Sequence, residues 1–129
     1  MLGTNDLVAF VHVTDLARAR AFYDGVLGLT PTEDTPIAVV FDANGTTLRV
    51  TLVEGHRPLA GTTLGWEVDD IAASIGELSA RGVEFTRYDG MEQDELGVWS
   101  APSGDQVAWF NDPDGNALSL TQGARRARS

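Results

Sequence analysis

The 129-residue sequence contains no cysteine and no lysine. Without cysteine there can be no disulfide, no thiolate metal site and no sulfur nucleophile. No apolar run approaches the roughly 18 residues of a membrane span. No Gly-rich phosphate loop, nucleophile elbow or Walker pattern occurs. The N-terminus lacks the basic-then-apolar layout of a secretion signal, so a cytoplasmic protein is expected. Positive charge is also scarce, with 19 Asp and Glu against nine arginines and a net charge of −10. Three of those arginines (Arg125, Arg126 and Arg128) crowd the chain end, and 124–129 reads as a disordered basic tail. The remaining body, at about −13, repels nucleic acid and anionic membrane, so neither is expected as a partner.

What the chain does have is 43% hydrophobic residues, enough for a globular fold. It also has an internal repeat. Residues 7–16 read Leu-Val-Ala-Phe-Val-His-Val-Thr-Asp-Leu, and 62–71 read Thr-Thr-Leu-Gly-Trp-Glu-Val-Asp-Asp-Ile. Aligning Asp15 with Asp70 pairs Val13 with Val68, Leu16 with Ile71 and His12 with Glu67. Each opening predicts a strand entering a helix. The two aspartates stand as N-caps, where a carboxylate accepts from orphan amides and suits the helix dipole. Leu16, Ala19, Phe22, Tyr23, Val26 and Leu27 recur at helical spacing up to Gly28, and Ile71, Ile75 and Leu78 do so up to Gly82.

Strands are predicted after each helix. Ile37–Asp42 and Thr46–Val53 flank Asn44-Gly45, a two-residue hairpin signal. Gln106–Phe110 and Ala117–Gln122 flank Asp112-Pro113-Asp114-Gly115, a proline-led turn. Gly28–Pro31 and Val83–Tyr88 are weaker strand candidates. Residues 54–61 link the halves, and 88–105 form a long loop carrying Met91 and Trp99.

Strand alternation assigns two faces. Leu48, Val50 and Leu52, Leu64, Trp66 and Val68, and Leu118 and Leu120 point toward the helices. The opposite face collects Val8, Phe10, His12, Arg49, Thr51, Thr63, Glu67, Trp109, Ser119 and Thr121. A solvated sheet face is one expectation. Aromatics among polar anchors point instead to a small-molecule pocket.

These features together resemble one family. Val13-Thr14-Asp15-Leu16 with Phe22-Tyr23 and Leu27-Gly28, Val68-Asp69-Asp70-Ile71 with Arg81-Gly82-Val83, and the Asp112–Asn116 turn span nearly the whole chain. In order and spacing they resemble the vicinal-oxygen-chelate superfamily, which includes glyoxalase I, bleomycin-resistance proteins, fosfomycin-resistance enzymes and extradiol dioxygenases. The resemblance implies an α+β fold of two tandem βαβββ modules, curled half-barrel sheets with helices on the outer face. Module one covers about 5–54 and module two about 62–123, together one domain over 1–123. Two modules close around one site, within a chain or across a dimer, and a homodimer is expected.

The resemblance also implies where metal ligands would stand: Val8, Thr63, Arg49 and Ser119. None is an imidazole or carboxylate, and a guanidinium repels a cation. No metal and no cofactor are therefore expected. The leading expectation is a metal-free protein that binds, and so sequesters, a small organic molecule such as an antibiotic. Phe10, Trp109 and Trp99 would supply apolar contact, Arg49 would orient an anionic or carbonyl group, and Thr51, Thr63, Ser119 and Thr121 would complete the lining. The alternative is a metal-independent lyase or isomerase in which His12 and Glu67 move a proton, the carboxylate favouring the imidazolium form. A metal-dependent glyoxalase or dioxygenase ranks below both.

Overall fold

The computed structural model describes residues 1–124, so Arg125, Arg126 and Arg128 of the basic tail lie outside the described residues. The chain divides into two compact units with the boundary between Arg57 and Pro58, inside the stretch read as a linker.

The first unit begins with a short 3₁₀ turn at Leu2–Thr4 and continues with β1 (Val8–Val13), α1 (Leu16–Arg20), β2 (Thr30–Asp34), β3 (Ala38–Ala43) and β4 (Thr46–Leu52). The Asp15 side chain accepts from the Arg18 N–H at 3.0 Å and starts α1. One continuous α-helix was expected up to Gly28, but the chain widens into a π-helical segment over Ala21–Val26. Within it the Leu27 N–H reaches back five residues to the Phe22 carbonyl at 2.9 Å. Gly28, at φ 77°, supplies the left-handed residue that ends the segment. The ring of Tyr23 is thereby delivered fully buried, against Phe41. An ion pair of Arg20 with Asp34 ties the helix to β2.

The strands lie in the order β1-β4-β3-β2, with β1 parallel to β4 and the other pairs antiparallel. β2 starts two residues later than the Gly28–Pro31 expectation. Asn44 (φ 51°) and Gly45 (φ 95°) form the tight hairpin turn between β3 and β4. Val11, Val13, Val39, Phe41, Leu48 and Val50 are buried on the side that α1 covers. Leu52, expected to join them, is 39% exposed because it stands at the strand end.

The second unit repeats the plan: β5 (Thr62–Glu67), α2 (Ile71–Ala80), β6 (Trp99–Ser100), β7 (Gln106–Asn111) and β8 (Ala117–Gln122), in the order β5-β8-β7-β6. Asp70 accepts from the Ala73 N–H at 3.0 Å, the same cap in the same place. Here β5 runs parallel to β8. α2 packs on β7 and β8 with Ile71 and Ile75 buried. The Asp112–Asn116 turn is held from inside. Asp112 Oδ1 accepts from the N–H of Asp114 and of Asn116 at 3.0 and 2.9 Å, and Oδ2 accepts from Asn116 Nδ2 at 2.8 Å.

Two expectations change here. Val83–Tyr88 does not form a strand; only Phe85 makes an isolated bridge to Phe110. The first of the three strands after the helix is instead β6, so Trp99 is a strand residue paired with Val107, not a loop residue. Each unit is thus a βαβββ module with a four-stranded mixed sheet, the α+β architecture expected. Among the described residues no helix is long and apolar enough to cross a membrane.

Candidate functional site

The face of each sheet turned away from its helix carries the predicted residues. In the first unit Phe10 pairs with Arg49, and Arg49 with Val40, making one row across three strands. The next row is His12, Thr51 and Ala38. Phe10 is 57% exposed, a large ring on the open face. Arg49 is exposed and has no ion pair among the described residues. The His12 ring meets His56 edge-on, with centroids 5.6 Å apart and planes at 87°. His56 lies in the 54–61 linker, and nothing in the linker's composition signals this contact. Thr51 Oγ1 is buried without a hydrogen-bond partner among the described residues.

The equivalent rows of the second unit are Gly65, Ser119 and Trp109, then Glu67, Thr121 and Val107. Ser119 is buried, and its hydroxyl sits so close to Gly65 that a Cβ there would lie 2.7 Å from Oγ. Trp109 stands on β7, yet its Nε1 donates to Thr62 Oγ1 on β5 at 3.1 Å. The indole therefore reaches over β8, the strand that carries Ser119. A register shift between Thr62 and Leu64 brings Thr62 to the indole, while Thr63 occupies the bulge itself. Strict alternation could not anticipate that. Trp99 lies 6.3 Å from Trp109 with planes at 37°, and Tyr88 packs edge-on at 5.5 Å. These aromatics form one cluster with a fixed polar end. Trp66 pairs with Leu120, on the helix-facing side of the same sheet, and is half-buried.

The metal positions can be tested on this donor set. Val8 has no donor, Thr63 and Ser119 offer neutral hydroxyls, and Arg49 brings a positive charge. This set does not fit a divalent ion. Among the described residues no group of three or more His, Asp or Glu side chains is placed to hold one. On the helix side of the second unit, Ile75, Val83, Phe85, Arg87, Glu95 and Leu96 help line a separate cavity of about 370 Å³. No predicted site residue lies on it.

The model of the Glyoxalase/Bleomycin resistance protein/Dioxygenase superfamily matches residues 6–120. The chain belongs to this superfamily. No curated protein matches it. Among solved structures, a superfamily member from Sphaerobacter thermophilus DSM 20745 is 26% identical with a TM-score of 0.73, over 95% of this chain and 99% of that one. TnmS3, an antibiotic binding protein from Streptomyces sp. CB03234, is 26% identical with a TM-score of 0.70, over 96% and 99%. A lactoylglutathione lyase from Agrobacterium tumefaciens shares the fold at 18% identity and a TM-score of 0.71, over 93% and 94%. Proteins named for binding and proteins named for catalysis thus share this fold.

Proposed function

We propose that this superfamily member is a metal-free binding protein that sequesters a planar small organic molecule, of the antibiotic kind, on the aromatic cluster of its second unit. The observation that carries the reading is the Trp109 indole, fixed at its polar end by Thr62 and flanked by Trp99 and Tyr88. A preset aromatic surface loses little side-chain freedom when a ligand stacks on it. TnmS3, named for antibiotic binding, supports the same reading at 26% identity. In this reading Thr63, Ser119 and Thr121 border the cluster on the second sheet, Phe10, Arg49 and Thr51 offer ligand contacts on the open face of the first, and His12 and Glu67 set hydrogen bonds, each on its own sheet. Two copies assemble as a homodimer, which sedimentation at low micromolar concentration tests.

The test of binding is a thermal-shift and tryptophan-quenching screen of planar aromatic antibiotics. A ligand that prefers the folded form raises apparent stability by mass action. A hit whose effect disappears in Trp109→Ala supports the reading; a screen in which Trp109→Ala behaves as wild type overturns it. A second reading, a metal-independent lyase or isomerase with His12 and Glu67 as acid and base, is favoured by the second imidazole, His56, beside His12. It predicts a turnover that collapses in His12→Ala and Glu67→Ala while ligand affinity stays largely intact.

A further inference from the structure

One residue outside the aromatic cluster bonds to the segments that carry Tyr88 and Trp99. The segment between α2 and β6 folds around the side chain of Gln93. Its Oε1 accepts from the Tyr88 N–H at 2.8 Å. Its Nε2 donates to the Thr86 carbonyl at 3.0 Å and to the Gly97 carbonyl at 2.8 Å. Both amide protons and the amide oxygen are therefore used within one loop. The backbone of Gln93 makes a bridge to Trp99. Thr86, which Gln93 holds from one side, donates its own N–H to the Trp109 carbonyl at 2.7 Å.

Two further features brace this arrangement. Gly97 has φ 90°, a left-handed conformation that glycine adopts without strain, and in it the Gly97 carbonyl accepts from the amide. Asp94 Oδ1 accepts from the N–H of Leu96 and of Val98, both at 2.9 Å, closing the loop behind Gln93.

We propose that Gln93 is the positioning residue of the aromatic site: it fixes Tyr88 on the edge of Trp109 and aligns Trp99 beside it. This rests on reading that cluster as the ligand surface. The chemistry makes the role specific to an amide. A glutamate in its place keeps the acceptor for the Tyr88 N–H but turns a negative oxygen toward two carbonyls. A carboxyl so placed is driven to protonate, and protonation restores one donor. Alanine removes all three bonds.

The experiment compares wild type, Gln93→Ala and Gln93→Glu in two measurements. Near-ultraviolet circular dichroism of the ligand-free protein reads the packing of Tyr88, Trp99 and Trp109. Quenching of tryptophan fluorescence by anthraquinone-2-sulfonate, a planar aromatic probe, reads the surface they form. Gln93→Ala is expected to lose much of the aromatic signal while its far-ultraviolet spectrum stays native, and to bind the probe about ten-fold more weakly. Gln93→Glu is expected to resemble alanine at about pH 8 and to recover toward wild type by about pH 6, over which wild type is flat. A role in stability alone would give no such pH-dependent recovery. Wild-type aromatic signal in Gln93→Ala, or a flat pH profile in Gln93→Glu, overturns the proposal. If the Gln93 variants change the aromatic signal as described but wild type does not bind the probe, the positioning role stands and the ligand surface fails.

Discussion

The two units place the same backbone under different chemistry. Asp15 and Asp70 cap their helices at the same distance. The first strand of each unit runs parallel to the last, and the site rows fall in matching register. Along those rows the bulk moves from one side to the other. The first unit has its ring on the first strand, at Phe10, and small Val40 on β3. The second unit has Gly65 on its first strand and its ring, Trp109, on β7. The charge changes as well, from Arg49 to Ser119 and from His12 to Glu67. Caps and core fix the frame, because any change there costs folding energy. Exposed open-face positions such as Phe10, His12, Arg49 and Glu67 carry less of that cost and can diverge to suit a ligand, whereas Gly65 against buried Ser119 cannot change freely.

The turns offer the sharpest contrast. In the second unit Asp112 is buried and accepts three hydrogen bonds; in the first, exposed Asp42 accepts from the Gly45 N–H at 2.9 Å. Asp112→Ala leaves buried donors without an acceptor, and chemical denaturation should show a loss of about 3 kcal/mol. Asp42→Ala, whose donor turns to water, should cost under about 1 kcal/mol. Equal losses would mean that the two turns do the same work.

The next contrast is Gly65 against Phe10. Gly65→Ala drives a methyl to within 2.7 Å of the Ser119 hydroxyl and should cost about 2 kcal/mol. Ser119→Gly in the same chain should restore most of that loss, which a double-mutant cycle measures. Phe10→Ala, at an exposed site, should change stability by no more than about 0.5 kcal/mol. A large loss there would mean that the ring is structural. The smallest expected difference lies in the caps: Asp15→Ala and Asp70→Ala should each cost about 1 kcal/mol in denaturant titrations. A clear inequality would show that the π-helical end of α1 makes its cap matter differently.

Most of this frame is legible in the sequence because it rests on local chemistry. An aspartate before a periodic apolar run, Asn44-Gly45 between alternating strands, and Leu118 and Leu120 on one side of β8 each declare themselves within a few residues. The open-face positions of His12, Arg49, Trp109 and Thr121 follow from the same alternation. What stays hidden depends on distant partners. The widening of α1 after Arg20 has no composition signal. The bulge that hands Thr62 to the indole breaks the two-residue alternation that points to Thr63. β6 is only two residues long, and its place is set by Val107 and by the Gln93 loop, not by its own propensity. Gln93 reads in sequence as one more polar loop residue; its three bonds exist only after the loop closes.

In the proposed function, one face of the second sheet, the face of Trp109 and Trp99, receives the ligand. The protein has three tryptophans, and the third, Trp66, lies on the opposite face. Their indole N–H resonances can be followed together while a ligand found in the antibiotic screen is titrated in. The Trp109 and Trp99 signals should shift in step with binding while Trp66 stays in place. Movement of Trp66 alone, or binding that leaves both Trp109 and Trp99 unchanged, would contradict it.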